Sequence, residues 1–193
     1  MSVTSIAARL GAIPRARGLL APCAFAALAA IAGQVRIPIP GNPVPLTLQT
    51  VVVLLAGAAL TPSAAATSMI LFVAAGLFGL PVFAGGGAGF AHLLGPTGGY
   101  LLGFVAGAAV CSALLKGRTG SLGRTVLAMT CGMGVIHACG VAHLAIYLGG
   151  DPTAALAFAR PFLPIDVLKI VMAAAVASGA SALLARDRGE PRA

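Results

Sequence analysis

Several long apolar runs, rich in Ala, Leu and Gly, constrain this 193-residue chain more than any other feature. The last of these runs carries no charged side chain between Lys169 and Arg186. Inside a lipid bilayer only helices and closed barrels satisfy every backbone hydrogen bond, and the runs lack the apolar and polar alternation of a barrel strand. The sequence therefore predicts an all-α integral membrane protein.

Hydrophobic residues make up 59% of the chain and charged residues 8%, whereas soluble domains contain roughly 25% charged residues. Each crossing takes about 20 residues and a connection, so the length suits a compact bundle of about six transmembrane helices without a separate soluble domain. We expect a single domain over residues 1–193. The predicted spans are 19–35, 46–60, 63–80, 98–115, 122–148 and 163–184, of which the second is too short to cross a roughly 30 Å hydrocarbon layer unaided.

The net charge of +8 is better explained by orientation in a membrane than by a nucleic-acid partner. If both termini are cytoplasmic, the positive-inside rule is obeyed, with a basic N-terminal segment at 1–17 and a charged tail at 186–193. The first span is expected to be retained, because no signal-peptide cleavage site is apparent. The inner basic residues are Arg9, Arg15, Arg17, Lys116, Arg118, Arg124, Arg186, Arg188 and Arg192, and the outer ones are Arg36, Arg160 and Lys169.

Little in the sequence points to metal binding or catalysis. His137 and His143 are six residues apart and fall on different faces of the fifth predicted span, while His92 lies in a glycine-rich connection. No GxxxxGK[ST] motif and no nucleophile with a basic partner is present, so neither ATP hydrolysis nor an enzyme is expected. The cysteines form no CxxC pair and are expected to pack as small apolar residues; they are Cys23, Cys111, Cys131 and Cys139.

Asp166 and Lys169 are the charges that need an explanation, because they share a helix face near the outer end of the last predicted span. A charge at the bilayer centre costs about 2.5 to 3.5 kcal/mol, so both should face the bundle or a wet cavity. Either they are structural, as a self-neutralising ion pair or as a lysine that snorkels to the headgroups, or they form a ligand site. In a ligand site Asp166 would accept hydrogen bonds from N–H groups, and Lys169 would serve a carboxylate or another acceptor.

Two connections approach the same membrane face. Segment 36–50 contains four prolines, which suit a semi-rigid lid. Near its end, Gln49 either binds a ligand or bonds to a neighbouring backbone while Thr47 caps the helix. Segment 79–100 is so rich in glycine that it suits either a loop that dips into the bundle or a plain flexible loop. Its aromatic residues provide cavity walls or belong to the core and the interface; they are Phe83, Phe90 and Tyr100.

Three ordered motifs, "IPIPGNPVPLTLQT", "GLPVFAGGGAGFAHLLGPTGGYLLGF" and "ARPFLPIDVLK", resemble the signature segments of the BioY family. This family comprises the biotin-specific substrate-binding membrane subunits of energy-coupling-factor (ECF) transporters. The resemblance implies a biotin site in which Asp166 and Lys169 match the D-x-x-K pair of the family. Gln49 and Tyr100 match further motif positions, and Gly86 is a backbone candidate.

The resemblance also implies partners, a membrane and a mechanism. The subunit would capture biotin outside the cytoplasmic membrane of a prokaryote, and a membrane scaffold subunit with two ATPase subunits would drive release inside, without a cofactor. Ala26 and Ala30 resemble the AxxxA coupling face of the family, although ordinary helix packing explains this spacing equally well. Two alternatives remain, namely a self-sufficient proton-coupled carrier for a carboxylate-bearing vitamin, in which Asp166 takes the proton, and a structural membrane-assembly protein without a ligand.

Overall fold

The computed structural model describes residues 14–115 and 121–187. The predicted N-terminal segment and C-terminal tail lie largely outside this range, as do Lys116 and Arg118. Helices make up most of the described chain. They are α1 (Pro14–Gln34), α2 (Gln49–Ala59), α3 (Pro62–Leu77), α4 (Phe90–Leu94), α5 (Gly98–Leu115), α6 (Leu122–Tyr147), α7 (Pro152–Ala159) and α8 (Leu163–Asp187).

Every predicted span coincides with a helix, and the protein is a multi-pass helical membrane protein. In the described ranges, three helical stretches are long and apolar enough to cross a bilayer by themselves: Gly98–Leu115, Leu122–Tyr147 and Pro152–Ala180. Three further apolar helices are shorter, at Gly18–Gln34, Gln49–Ala59 and Pro62–Leu77. The expected count of six crossings is therefore supported only in part by helix length and composition.

The start of the second predicted span is corrected by a short antiparallel ribbon. Strand β1 (Arg36–Ile37) pairs with β2 (Leu46–Thr47), so α2 begins only at Gln49. The intervening segment contains four prolines, which lack an N–H and cannot extend a helix backwards from α2. The chain instead reverses near Gly41, whose φ of 75° suits glycine.

The closest helix packing joins α5 to α6 through glycine. A Cβ at Gly103 would lie 2.9 Å from the Ile136 Cα, and a Cβ at Gly107 would lie 2.8 Å from the Gly132 carbonyl oxygen. Small residues at such spacing let two membrane helices approach until their backbones touch. This contact fixes Ile136 and its neighbours on α6 against α5.

The glycine-rich connection is anchored in the bundle, so it is not a plain flexible loop. Phe83 is 1% exposed and packs edge-on against Phe72, with ring centroids 5.6 Å apart, in space that Gly76 leaves free. The backbone N–H of Gly85 donates to the Gly33 carbonyl oxygen at 3.0 Å. Phe90, by contrast, is 64% exposed at the start of α4 and does not line the cavity, which leaves the interface as its remaining alternative.

Candidate ligand-binding site

A cavity lies where α2, α5, α6 and α8 meet, beneath the β1–β2 connection and the glycine-rich loop. About 630 Å³ of empty space lies between its walls, a volume that includes open solvent at its mouth. The apolar lining residues are Val44, Pro45, Leu46, Phe83, Ala84, Leu101, Phe104, Ile136 and Phe162. The polar lining residues are Thr47, Gln49, Thr50, His92, Thr97, Tyr100, His137, Asp166 and Lys169.

Asp166 and Lys169 form a buried ion pair in the wall of this cavity. Each residue is 5% exposed, and the Lys169 Nζ donates to Asp166 Oδ1 at 3.0 Å. Lys169 also donates to Thr50 Oγ1 of α2 at 3.2 Å. His137 of α6 lies on the opposite carboxylate oxygen, with its Nε2 2.7 Å from Asp166 Oδ2. Three helices therefore meet at one carboxylate and its lysine.

The structural role and the ligand site, which the sequence left open for Asp166 and Lys169, are compatible in part. The residues do neutralise each other, because a buried charge is tolerated only with a partner of opposite sign and further hydrogen bonds. They also line a cavity, as a ligand site requires. A Lys169 that snorkels to the headgroups is excluded, because its side chain is only 7% exposed and both its observed partners are side chains of the bundle.

Three cavity-lining residues carry buried polar atoms that have no hydrogen-bond partner in the described structure: Gln49 Nε2, Tyr100 Oη and His137 Nδ1. Only one other such atom, Ser178 Oγ, occurs in the described ranges. An unsatisfied buried polar atom costs about 1 to 3 kcal/mol, so native structures contain few of them. Three of these four atoms belong to residues that line the one cavity, and they come from α2, α5 and α6.

Gln49 faces the cavity at the first turn of α2 and is 3% exposed. Its Oε1 accepts from the Thr47 hydroxyl at 3.3 Å, and its backbone N–H lies 3.4 Å from the same hydroxyl oxygen. The N-cap position belongs to Leu48, whose side chain makes no capping bond, so Thr47 is not the cap residue. Gly33 on α1 leaves room for the amide, because a Cβ there would lie 2.5 Å from Gln49 Nε2.

Tyr100 lies in the first turn of α5 and is 9% exposed. Its ring rests on Gly140 of α6, where a Cβ would collide with the ring carbons. The ring also meets His137 edge-on, with the centroids 6.0 Å apart and an interplanar angle of 85°. Tyr100 therefore contacts His137, which is in turn bonded to Asp166 of the ion pair. The sequence did not suggest this role for His137.

The structure does not bring every predicted residue to the cavity. Gly86 has a φ of 81° but is absent from the cavity lining, where Phe83 and Ala84 represent its loop. Ala26 and Ala30 are half-buried and pack against the hydrophobic core, whereas Leu20 and Ile31 on α1 are 67% and 66% exposed. Packing within the bundle, the competing explanation for the alanine spacing, is therefore at least part of their role.

Thr50, His137 and Phe162 also line the cavity, although none was predicted as a binding residue. His137 was considered only as a metal ligand. An ionisable residue inside an apolar span is itself a signal of a functional site, and by that rule His137 was detectable. The other histidine of α6 has a different contact. His143 Nε2 lies 3.0 Å from the carbonyl oxygen of Gly95, the residue that follows α4, and so connects α6 to that turn. His92 also lines the cavity, with its ring stacked on Phe83.

Fold and cavity together define a multi-pass helical membrane protein with a cavity lined by both apolar and polar side chains. A sequence model described as "BioY family" matches residues 5–186, and the chain belongs to the BioY family. It is therefore a member of a transporter family and not of an enzyme family.

Two curated relatives are 36% identical to the chain. The first, "Biotin transporter BioY" of Thermotoga maritima, aligns over 161 residues, which cover 83% of this chain and 94% of the relative. The second, "Probable biotin transporter BioY" of Pyrococcus horikoshii, aligns over 153 residues, which cover 79% of this chain and 89% of the relative. A solved structure, described as the S-component for biotin from an ECF-type ABC transporter, matches with a TM-score of 0.79 and 25% identity. That match covers 100% of this chain and 96% of the other.

Proposed function

We propose that this protein binds biotin and mediates its uptake as the substrate-binding subunit of an ECF-type transporter. The observation that carries the proposal is the buried Asp166–Lys169 pair, set in a mainly apolar cavity beside three residues with unpartnered polar atoms. Relatives named as biotin transporters and the solved biotin S-component support the same assignment.

The chemistry of biotin matches the two kinds of surface in the cavity. Its ureido ring has two N–H donors and a carbonyl acceptor, and its thiophane ring and valeryl chain are apolar. The apolar part fits against Phe104, Ile136 and Phe162, while Gln49 and Tyr100 offer hydrogen bonds. A mainly apolar pocket with a few convergent polar groups is the usual form of a small-molecule site.

The charge of the pair orients the ligand. Asp166 is already neutralised by Lys169, so a second carboxylate next to it would meet no net positive charge and would be repelled by the first. One ureido N–H can instead donate to a free lone pair of Asp166, and the third N–H of Lys169 can donate to the adjacent ureido carbonyl. We therefore place the ureido ring at the ion pair and the biotin carboxylate toward the open side of the cavity.

The membrane arrangement proposed is six crossings in one domain over residues 1–193, in the cytoplasmic membrane of a prokaryote, with both termini cytoplasmic. The partners proposed are a membrane scaffold subunit and two ATPase subunits, because the chain has no ATP-binding motif of its own. Scaffold docking would use the outward face of α1, with the half-buried Ala26 and Ala30 at its edge. No cofactor is required for binding.

A second candidate function is favoured by one contact. The His137–Asp166 hydrogen bond of 2.7 Å places a proton-carrying pair inside the bundle, as a proton-coupled carrier would need. Biotin uptake into sealed vesicles separates the candidates. We expect the protein alone to accumulate no biotin, and the protein with its scaffold and ATPase subunits to accumulate biotin only with ATP. ATP-independent accumulation that collapses with the proton gradient would contradict the ECF assignment and favour the carrier.

A further inference from the structure

Arg36 is an exposed cation that directly precedes the first of the three BioY motifs. Its partner across the β1–β2 ribbon is Thr47, which lines the cavity. Side chains directly opposite each other in an antiparallel pair stand on the same face, with their Cβ atoms about 4.5 to 5.5 Å apart. The Arg36 side chain therefore leaves the ribbon on the face that carries Thr47.

The far end of the Arg36 side chain lies against the glycine-rich loop. A Cβ at Gly85 would lie 2.6 Å from both Arg36 Cζ and Arg36 Nε. Because Gly85 has no side chain, the guanidinium rests directly on the backbone of the loop. Ala84, the residue before Gly85, lines the cavity. Arg36 thus lies beside the cavity lining at both ends of its side chain, and this position is at the rim of the cavity.

The charge of Arg36 is not neutralised within residues 14–115 and 121–187. Two carboxylates have described side chains there: Asp166 is paired with Lys169, and Asp151 accepts backbone bonds at the start of α7. The Arg36 guanidinium has neither an ion pair nor a hydrogen bond among these residues. A guanidinium is a planar fork of N–H donors that can hold a carboxylate by two parallel bonds. Arg36 is therefore available to an anion.

Segment 47–50 connects Arg36 to the buried ion pair. Thr47 pairs with Arg36, and Thr50 accepts a hydrogen bond from Lys169. Consecutive Cα atoms are 3.8 Å apart, so the Cα atoms of Thr47 and Thr50 are separated by at most about 11 Å. A ligand whose ring lies at the ion pair can therefore bring a flexible tail to Arg36.

We propose that Arg36 binds the carboxylate of the ligand at the rim of the cavity and makes the site selective for ligands with an anionic tail. The inference rests on the proposed function, which places the ureido ring of biotin at the Asp166–Lys169 pair and leaves the biotin carboxylate without a cation. A ligand with an uncharged tail loses the ion pair with Arg36 and keeps the contacts of its ring.

The test combines a change of charge on the protein with a change of charge on the ligand. Purified full-length wild type, Arg36→Gln and Arg36→Lys are each titrated with biotin and with biotinamide, in which an uncharged carboxamide replaces the carboxylate. Arg124→Gln is the matched control, because Arg124 is exposed in the first turn of α6, about 18 Å along the helix from Ile136 of the cavity wall. Thermal unfolding of each protein is recorded.

At low ionic strength we expect wild type to bind biotin about fivefold more tightly than biotinamide, the upper range for an exposed ion pair. Arg36→Gln should reduce this ratio to below about twofold by weakening biotin binding alone, and Arg36→Lys should keep part of it. Added salt should lower the wild-type ratio, because salt screens exposed charges. The Arg124→Gln control should keep the wild-type ratio.

Arg160→Gln tests the competing outer cation, because Arg160 is also exposed and lies two residues before Phe162 of the cavity wall. We expect this variant to keep the wild-type ratio. If Arg36→Gln does not fold, Arg36→Met replaces it, since methionine keeps an unbranched stem against Gly85.

Three results would overturn the inference while biotin binding itself persists. The first is a wild-type ratio in Arg36→Gln, which would place the carboxylate elsewhere. The second is a wild type that binds biotin and biotinamide equally. The third is an equal weakening of both ligands in Arg36→Gln, which would give Arg36 a structural role in the ribbon. A wild type that binds no biotin would instead refute the proposed function.

Discussion

Among single residues, Asp166 matters most for the proposed function. It is the carboxylate among the described residues that line the cavity, and both of its oxygens have a hydrogen-bond partner. Removing one member of a buried ion pair leaves the other charge without compensation, which costs about 3 to 5 kcal/mol, whereas replacing both members by uncharged groups is often neutral. Stability and ligand binding can therefore be separated by a double substitution at this pair.

We predict that Asp166→Asn lowers both the biotin affinity and the free energy of unfolding, because Lys169 is left buried with Thr50 as its remaining observed partner. The double variant Asp166→Asn/Lys169→Met should recover most of the unfolding free energy and should still bind biotin at least tenfold more weakly. Chemical unfolding and biotin titration of both variants check this. Near-normal biotin binding by the double variant would show that the pair serves the fold and not the ligand.

Asp151 gives a second residue-scale prediction, outside the apolar spans. Its Oδ1 accepts from the Thr153 hydroxyl at 2.6 Å and from the backbone N–H groups of Thr153 and Ala154 at 2.9 Å and 3.0 Å. The Thr153 side-chain bond, followed by the Ala154 backbone bond, lowers the pKa of Asp151 below its ordinary value of 3.8. The cap therefore contributes stability above that pH and loses it as the pH falls through the lowered pKa.

We expect Asp151→Ala to lower the thermal unfolding temperature at pH 7, and the gap from wild type to narrow as the pH falls below 3.8. Asp151→Asn is the control, since asparagine also caps helices but carries no titrating charge. Unfolding temperatures of the three proteins between pH 7 and pH 3 provide the measurement. A gap between Asp151→Ala and wild type that stays constant with pH would refute the capping role of the charge.

At the scale of elements, the α5–α6 contact determines where His137 and Tyr100 lie. Both helices carry glycine at the closest approach, and a Cβ at Gly107 would lie 2.8 Å from the Gly132 carbonyl oxygen and 2.7 Å from Ile136 Cγ1. A backbone carbonyl cannot move aside as the end of a flexible side chain can. The two helices would have to separate, and the cavity wall would change with them.

We predict that Gly107→Ala destabilises the protein by about 1 to 3 kcal/mol, the usual cost of overpacking. Gly134→Ala on α6 is the matched control, because a Cβ there meets nothing within 4 Å. The control should be neutral or slightly stabilising, since alanine favours the helix over glycine by about 1 kcal/mol. Unfolding in mixed detergent micelles measures both, and equal effects of the two substitutions would refute tight α5–α6 packing.

The positions of the main helices could be predicted because each apolar run contains few charged side chains. The BioY family assignment, made from three motifs, is confirmed. The β1–β2 ribbon could not, because its two-residue strands have no periodicity to detect. Helix α7 was missed although Asp151 and Pro152 form a recognisable cap and first-turn signal. The pairing of His137 with Asp166 joins residues 29 positions apart, and helix spacing within one span cannot reveal it.

At the scale of the whole molecule, ligand binding should stabilise the entire fold. A ligand that binds only the folded protein adds RT ln(1 + [L]/Kd), about 2.7 kcal/mol at a hundredfold excess over Kd. We expect biotin and desthiobiotin, which both have the ureido ring, to raise the unfolding temperature in a concentration-dependent way. Thermal unfolding of the purified protein across a ligand series measures this. Indifference to both ligands would favour the structural membrane-assembly protein.

In the proposed function, the Asp166–Lys169 pair binds the N–H-bearing ring of the ligand and not its carboxylate. Calorimetric titration of the purified protein with biotin and with lipoate tests it most directly, because lipoate shares the valeryl carboxylate and a sulfur ring but has no ureido group. We expect biotin to bind, and we expect lipoate to bind at least a hundredfold more weakly. Comparable affinities for the two ligands would contradict it.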